Sequence, residues 1–194
     1  MQDERFFMKR KQALKWLLRI AAAIVFLCGI LYLLWYDGRF LPAWISWKKK
    51  EISAELEQEP VHLQLSHRKL VISDEEGKTL WTSDSRWRVS DFIVGDIDHD
   101  EQNEVVLLVW KIGSYGKYLP FWVKKDENTW SQHIFIYDWD PELETRMRSI
   151  WMSSKMGIQA ADWFLDEKEI LHIIKPDGED TRWLWSYWGL ELLP

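Results

Sequence analysis

The stretch "WLLRIAAAIVFLCGILYLLWY", positions 16–36, holds 21 residues and one charge, Arg19, and it constrains the architecture more than any other feature. At about 1.5 Å per residue a helix of this length reaches about 31 Å, which matches a bilayer core of about 30 Å. Trp16, Trp35 and Tyr36 stand at its ends, where amphipathic rings favour the headgroup boundary. Arg19 lies one turn inside, within snorkelling reach. No small-residue cleavage pattern follows the core, which ends in "LLWYDGRF". Leu27, not a small residue, precedes Cys28, so lipid attachment there is disfavoured. The segment reads as an uncleaved transmembrane signal anchor. Arg5, Lys9, Arg10, Lys11, Lys15 and Arg19 flank its start, against Arg39, Lys48, Lys49 and Lys50 beyond its end. The positive-inside rule then makes 1–15 a basic cytoplasmic tail and leaves the domain at 61–194 extracytoplasmic, as a single-pass protein of the cell membrane.

Charge divides the chain in two. The net −6 is the sum of +7 over residues 1–50 and −13 over residues 51–194. An acidic body is unsuited to nucleic acid, whose affinity comes from Lys and Arg neutralising phosphates, and is suited to cations. Cys28 is the single cysteine and lies in the apolar run, so no intrachain disulfide exists. Residues 37–60, with Pro42 able to open a helix and Pro60 closing the stretch, read as a juxtamembrane linker. It either lies at the headgroups through Trp44, Trp47 and Lys48 to Lys50, or forms a charged helical stalk.

From 61 to 194 the pattern is short β-type runs separated by turn residues: "VHLQL", "RKLVIS", "TLWTS", "VSDFIVG", "NEVVLLVWKI", "PFWVK", "WSQHIFIYDW", "TRMRSIWMSS", "GIQAADWFL", "KEILHIIK", "TRWLWSYW" and "LELLP". Strands at this spacing predict an all-β domain, a propeller or a sandwich. Two loose repeats appear. "DFIVGDIDHDEQNEVVLLVW" aligns with "AADWFLDEKEILHII", and "HIFIYDWDPELETRMRSIWMSS" with "RKLVISDEEGKTLWTS".

Asp96, Asp98 and Asp100 alternate, Gln102 offers a carbonyl, and Glu104 follows. Ca²⁺ takes six to eight oxygens at roughly 2.3–2.6 Å, and it removes the repulsion among carboxylates set on alternate residues. An EF-hand is excluded, because Glu101 and Leu107 stand where Gly and Glu are required and a strand follows. "DFIVGDIDHDEQNEVVLLV" resembles the FG-GAP (VCBS-type) repeat of integrin-α-like β-propellers. The resemblance implies a partial, FG-GAP-like propeller that closes by oligomerising or stays truncated, with a β-sandwich of the same hairpins as the alternative. It assigns Asp96, Asp98, Asp100 and Glu104 as side-chain ligands of Ca²⁺ and Gln102 as a backbone ligand. The loop glycine of that family is absent, and "LDEKE" is no complete second site.

Other features point to binding more than to catalysis. "KIGSYGKYLPFW" holds the binding candidates Tyr115, Tyr118 and Trp122 in a Gly- and Pro-containing connection. Trp183, Trp185 and Tyr187 share one strand face, as core packing or as a sugar-stacking platform. The five histidines are scattered, and neither a nucleophile elbow nor a phosphate loop is present, which disfavours an enzyme; an envelope hydrolase is the minor alternative. The expected function is an anchored interaction or scaffold module with a protein partner. The alternative is a cell-envelope glycan binder, accessory to an enzyme.

Overall fold

The computed structural model describes the backbone of residues 2–194, and the side chains of residue 12 and of 15–194. The chain divides into two compact units, the first ending at Leu41 and the second spanning Pro42–Pro194.

The first unit is helix α1 (Gln2–Tyr36). Its Lys15–Tyr36 part is long and apolar enough to cross a membrane, and its large apolar side chains from Trp16 to Leu34 stand exposed. A single N-terminal apolar helix of this kind fits a membrane anchor or a signal sequence. It stops because Gly38, at φ 75°, turns left-handed. Gly38 N–H then donates to Trp35 O and Arg39 N–H to Leu34 O, the paired bonds of a Schellman cap. Arg5, Lys9, Arg10 and Lys11, on whose charge the orientation rests, have side chains outside the described residues.

The second unit is all-β. Twelve strands form three four-stranded antiparallel meanders. The first sheet is β1 (Lys50–Leu56), β2 (Glu59–Ser66), β3 (Lys69–Ser73) and β4 (Thr79–Thr82). The central sheet is β5 (Arg88–Gly95), β6 (Glu104–Ile112), β7 (Trp130–Trp139) and β8 (Met147–Met152). The third is β9 (Asp162–Leu165), β10 (Leu171–Ile174), β11 (Asp180–Ser186) and β12 (Gly189–Leu192). The sheets do not close into a ring.

Two apolar cores explain the stacking. Val105, Leu107, Val109 and Phe135 of the central sheet pack with Leu63, Leu65, Leu70 and Ile72 of the first. Val106, Leu108, Ile134 and Ile136 point the other way, onto Trp163, Leu171 and Ile173 of the third. Both faces of the central sheet are therefore covered, which is why β6 reads as an unbroken apolar run from Val105 to Trp110 and β7 holds a shorter one from Ile134 to Tyr137. The first sheet alternates instead, with Val61, Leu63 and Leu65 buried and His62 and Gln64 exposed.

Residues 37–60 are not a linker throughout. Ile52, Ala54 and Leu56 alternate with exposed Glu51, Ser53 and Glu55, and β1 pairs with β2 from Lys50↔Leu65 to Leu56↔Glu59. The two-residue turn, Glu57 and Gln58, has φ 45° and 66°, a type I′ geometry that normally carries Asn-Gly. That missing signature hid the hairpin. The aromatic residues expected at the headgroups are engaged in the β-unit: Trp44 packs on Trp110 and Trp47 lies under the Arg68 guanidinium, while Ile45 between them is buried. "PFWVK" forms no strand. It is an exposed loop with a Pro120–Val123 turn. Both proposed repeats pair equivalent hairpins, β5–β6 with β9–β10 and β7–β8 with β3–β4.

Candidate functional site

The acidic loop joins β5 to β6 at one end of the central sheet, where Gly95 pairs with Glu104. Fully buried Ile97 pins it to the second core. Asp96 closes the loop, its Oδ1 accepting Asp100 N–H and its Oδ2 accepting Glu101 N–H, each at 2.9 Å. His99 and Glu101 adopt φ 64° and 71°, a left-handed conformation that costs a non-glycine residue about 1–2 kcal/mol. Glu101 thus takes the turn that a glycine would take more easily.

Three of the five expected ligands converge. Asp96, Asp98 and Glu104 each present an oxygen, all within 4.8 Å of one another, about the span of two oxygens facing across one Ca²⁺ at roughly 2.4 Å. Glu104 is 1% exposed, and its Oε2 accepts Ile97 N–H at 2.8 Å. Asp98 Oδ1 is buried and has no hydrogen-bond partner. Asp100 does not join the three. Its Oδ1 accepts Gln102 N–H at 2.9 Å, and both residues line a cleft of about 20 Å³ beside Glu104, room for one small ion or water.

That cleft also contains Asp138 and Arg148, cross-strand partners on β7 and β8. Arg148 Nε donates to Asp138 Oδ2 at 3.0 Å, and Nη2 binds the same oxygen. Asp138 was missed because it lies some forty residues away in an apolar strand; only the β6–β7 register brings it near. Burial pushes the Glu104 carboxyl up to about 8, helped by the charges of Asp98, Asp100 and Asp138 and partly opposed by the Ile97 amide. Asp98 is raised as well, first by burial and then by Asp100, Asp138 and Asp96. The site therefore carries more acid than it can ionise unaided.

The equivalent loop of the third sheet is self-satisfied. Asp166 Oδ1 accepts the Lys168 and Ile170 amides, and Glu169 reaches over to His99 Nδ1 at 3.0 Å. Among the described residues, Asp96, Asp98 and Glu104 form the one acidic group gathered closely enough to share an ion.

The aromatic candidates separate. Tyr115 is half-buried, whereas Tyr118 and Trp122 are exposed and share their loop with Phe121, 96% exposed and not singled out from the sequence. Trp183 and Trp185 pack against the second core. Tyr187 sits beyond them in an exposed turn with Trp188, so the three aromatics form no common platform. The chain matches no protein-family model, no curated protein and no solved structure.

Proposed function

We propose that the chain is a membrane-anchored, extracytoplasmic interaction module, non-enzymatic, whose β-unit is an open FG-GAP-like stack of three blades locked by a structural Ca²⁺ in the 96–104 loop. The observation that carries the metal reading is Asp98 Oδ1, buried without a partner beside two further carboxylates. Leaving such an acceptor unsatisfied costs about 1–3 kcal/mol, and a cation removes that cost together with the repulsion. Asp96, Asp98 and Glu104 supply the side-chain oxygens. Asp100 and the Gln102 carbonyl line the approach and complete the shell with water. Three successive four-stranded meanders, with the acidic loop in a first hairpin, support the blade reading.

The test is thermal melting of the full chain in detergent, in calcium and in chelator. Extracellular sites bind with dissociation constants of about 10⁻⁴ to 10⁻³ M. At about 1 mM free ion this stabilises by about 0.4–1.4 kcal/mol, a rise of about 1–5 °C. Asp98→Ala abolishes the rise and leaves the chelated midpoint unchanged or slightly higher, because one repelling carboxylate is gone. Equal midpoints for the wild type in both media would overturn the calcium reading.

A further inference from the structure

The connection between β6 and β7 is built in two parts. Its base is tied down. Ser114 N–H donates to Asp126 Oδ1 at 2.7 Å and Ser114 Oγ donates to Glu127 Oε2 at 2.6 Å. Gly113 N–H donates to Thr129 O, and Lys155 N–H to Ser114 O. Beneath it His133, fully buried, spans Ser153 O at 2.9 Å and Gly113 O at 3.1 Å with its two ring nitrogens.

Its tip has the opposite character. Tyr118, Leu119, Phe121 and Trp122 are 75%, 45%, 96% and 71% exposed, and the Pro120–Val123 turn presents them together. Exposed Lys117, Lys124 and Lys125 surround them, while Asp126 and Glu127 are drawn into the base. The tip is a basic, apolar island on a unit that is otherwise strongly acidic.

A patch of this kind marks a docking surface, and its chemistry selects the occupant. A sugar ring stacks on a flat aromatic face, but the Phe121 and Trp122 rings meet edge to face at 84°, with centroids 4.8 Å apart. Leu119 and Phe121 have no polar group to offer a hydroxyl. A headgroup layer instead takes Trp and Tyr at its boundary, admits Leu and Phe below, and, where its lipids are anionic, attracts lysines through their phosphates. We propose that the 117–125 loop is a second membrane contact, seating Phe121 and Trp122 in the headgroup interface of the bilayer that holds α1. Tethering by the anchor makes this contact intramolecular, so a weak site of four side chains is enough. The rigid base lowers the ordering cost, because the tip is presented before contact.

The proposal rests on the anchored reading of the chain. The test is a Cys28→Ser/Phe121→Cys chain, labelled with an environment-sensitive dye and reconstituted at full length into nanodiscs of phosphatidylcholine with phosphatidylglycerol. Co-elution with the discs reports anchoring separately. The expected result is a blue-shifted emission quenched by doxyl-labelled lipid, with a Glu75→Cys label in the exposed β3–β4 turn as the aqueous reference. Lys117→Ala, Lys124→Ala and Lys125→Ala each lower the seated-to-free ratio about fivefold, and discs of phosphatidylcholine alone, which remove all three attractions, lower it about a hundredfold. A chain that co-elutes with the discs but emits from position 121 as from water, unquenched, overturns the lipid contact and leaves the tip for a protein partner. Phe121 contributes nothing to either core, so misfolding of this variant is not an expected outcome.

Discussion

Burial, helped by three neighbouring carboxylates, opposes the charge of Glu104 and pushes its carboxyl up to about 8. An unfolded glutamate releases that proton near the ordinary value of 4.5. Between these limits the folded state binds more protons than the unfolded one, so stability in chelator falls as pH rises through this window and levels off above it. In the proposed site, calcium would take the place of the proton. Its affinity should therefore climb with pH up to about 8, and each ion bound should release protons, as calorimetry in buffers of different ionisation heat would record. Glu104→Gln mimics the protonated side chain. It should flatten the pH slope in chelator and lose the calcium response, and a variant that keeps the slope would assign the titration to another group. At this scale the alternating aspartates were legible, since their spacing is local. Asp138 and the closing role of the Asp96 carboxylate were not, because each depends on strand register or on a left-handed turn built from residues that do not advertise one.

At the scale of elements, β6 is recognisable from its unbroken apolar run and β2 from its alternation. Two segments failed for opposite reasons. β1 alternates weakly, with Ala54 as its middle apolar residue, and its turn lacks glycine. "PFWVK" has strand-like composition but no neighbour to pair with, and composition alone cannot supply one. The third sheet meets the central one at a specific contact. A Cβ on Gly189, at φ 141°, would lie 2.6 Å from the Trp151 ring, whereas at Gly77, φ 80°, nothing lies within 4 Å. Gly77→Ala should cost about 1–2 kcal/mol from backbone strain alone. Gly189→Ala adds overpacking of about 1–3 kcal/mol, so its melting midpoint should fall clearly further. Equal losses would mean that Trp151 moves aside freely and that this contact does not hold the sheets together.

Across the whole molecule, the all-β class was readable because about twelve strand-like runs leave little room for anything else; the arrangement in three stacked sheets was not. Alternation tells which side of a strand is dry, but not which sheet covers it. The division into helix and β-unit sets one further expectation. If the basic flank of α1 stays in the cytoplasm, a reporter active only there and fused after Pro194 stays silent. A bright reporter would reverse the orientation and place the acidic loop in low free calcium, where a site of modest affinity stays unfilled.

The central sheet cannot tolerate water on either face, and this imposes an order in time. Synthesis delivers β1 to β4 first, so one face is covered as soon as β5 to β8 emerge. The other, with Val106, Leu108, Ile134 and Ile136, stays bare until β9 to β12 arrive. At about 5–20 residues per second, the roughly forty residues from β8 to the end of β12 take about 2–8 s. During that interval the nascent chain displays a flat apolar sheet, and a chain halted at residue 152 displays it permanently. The third sheet thus serves as the cover that turns an adhesive intermediate into a closed one.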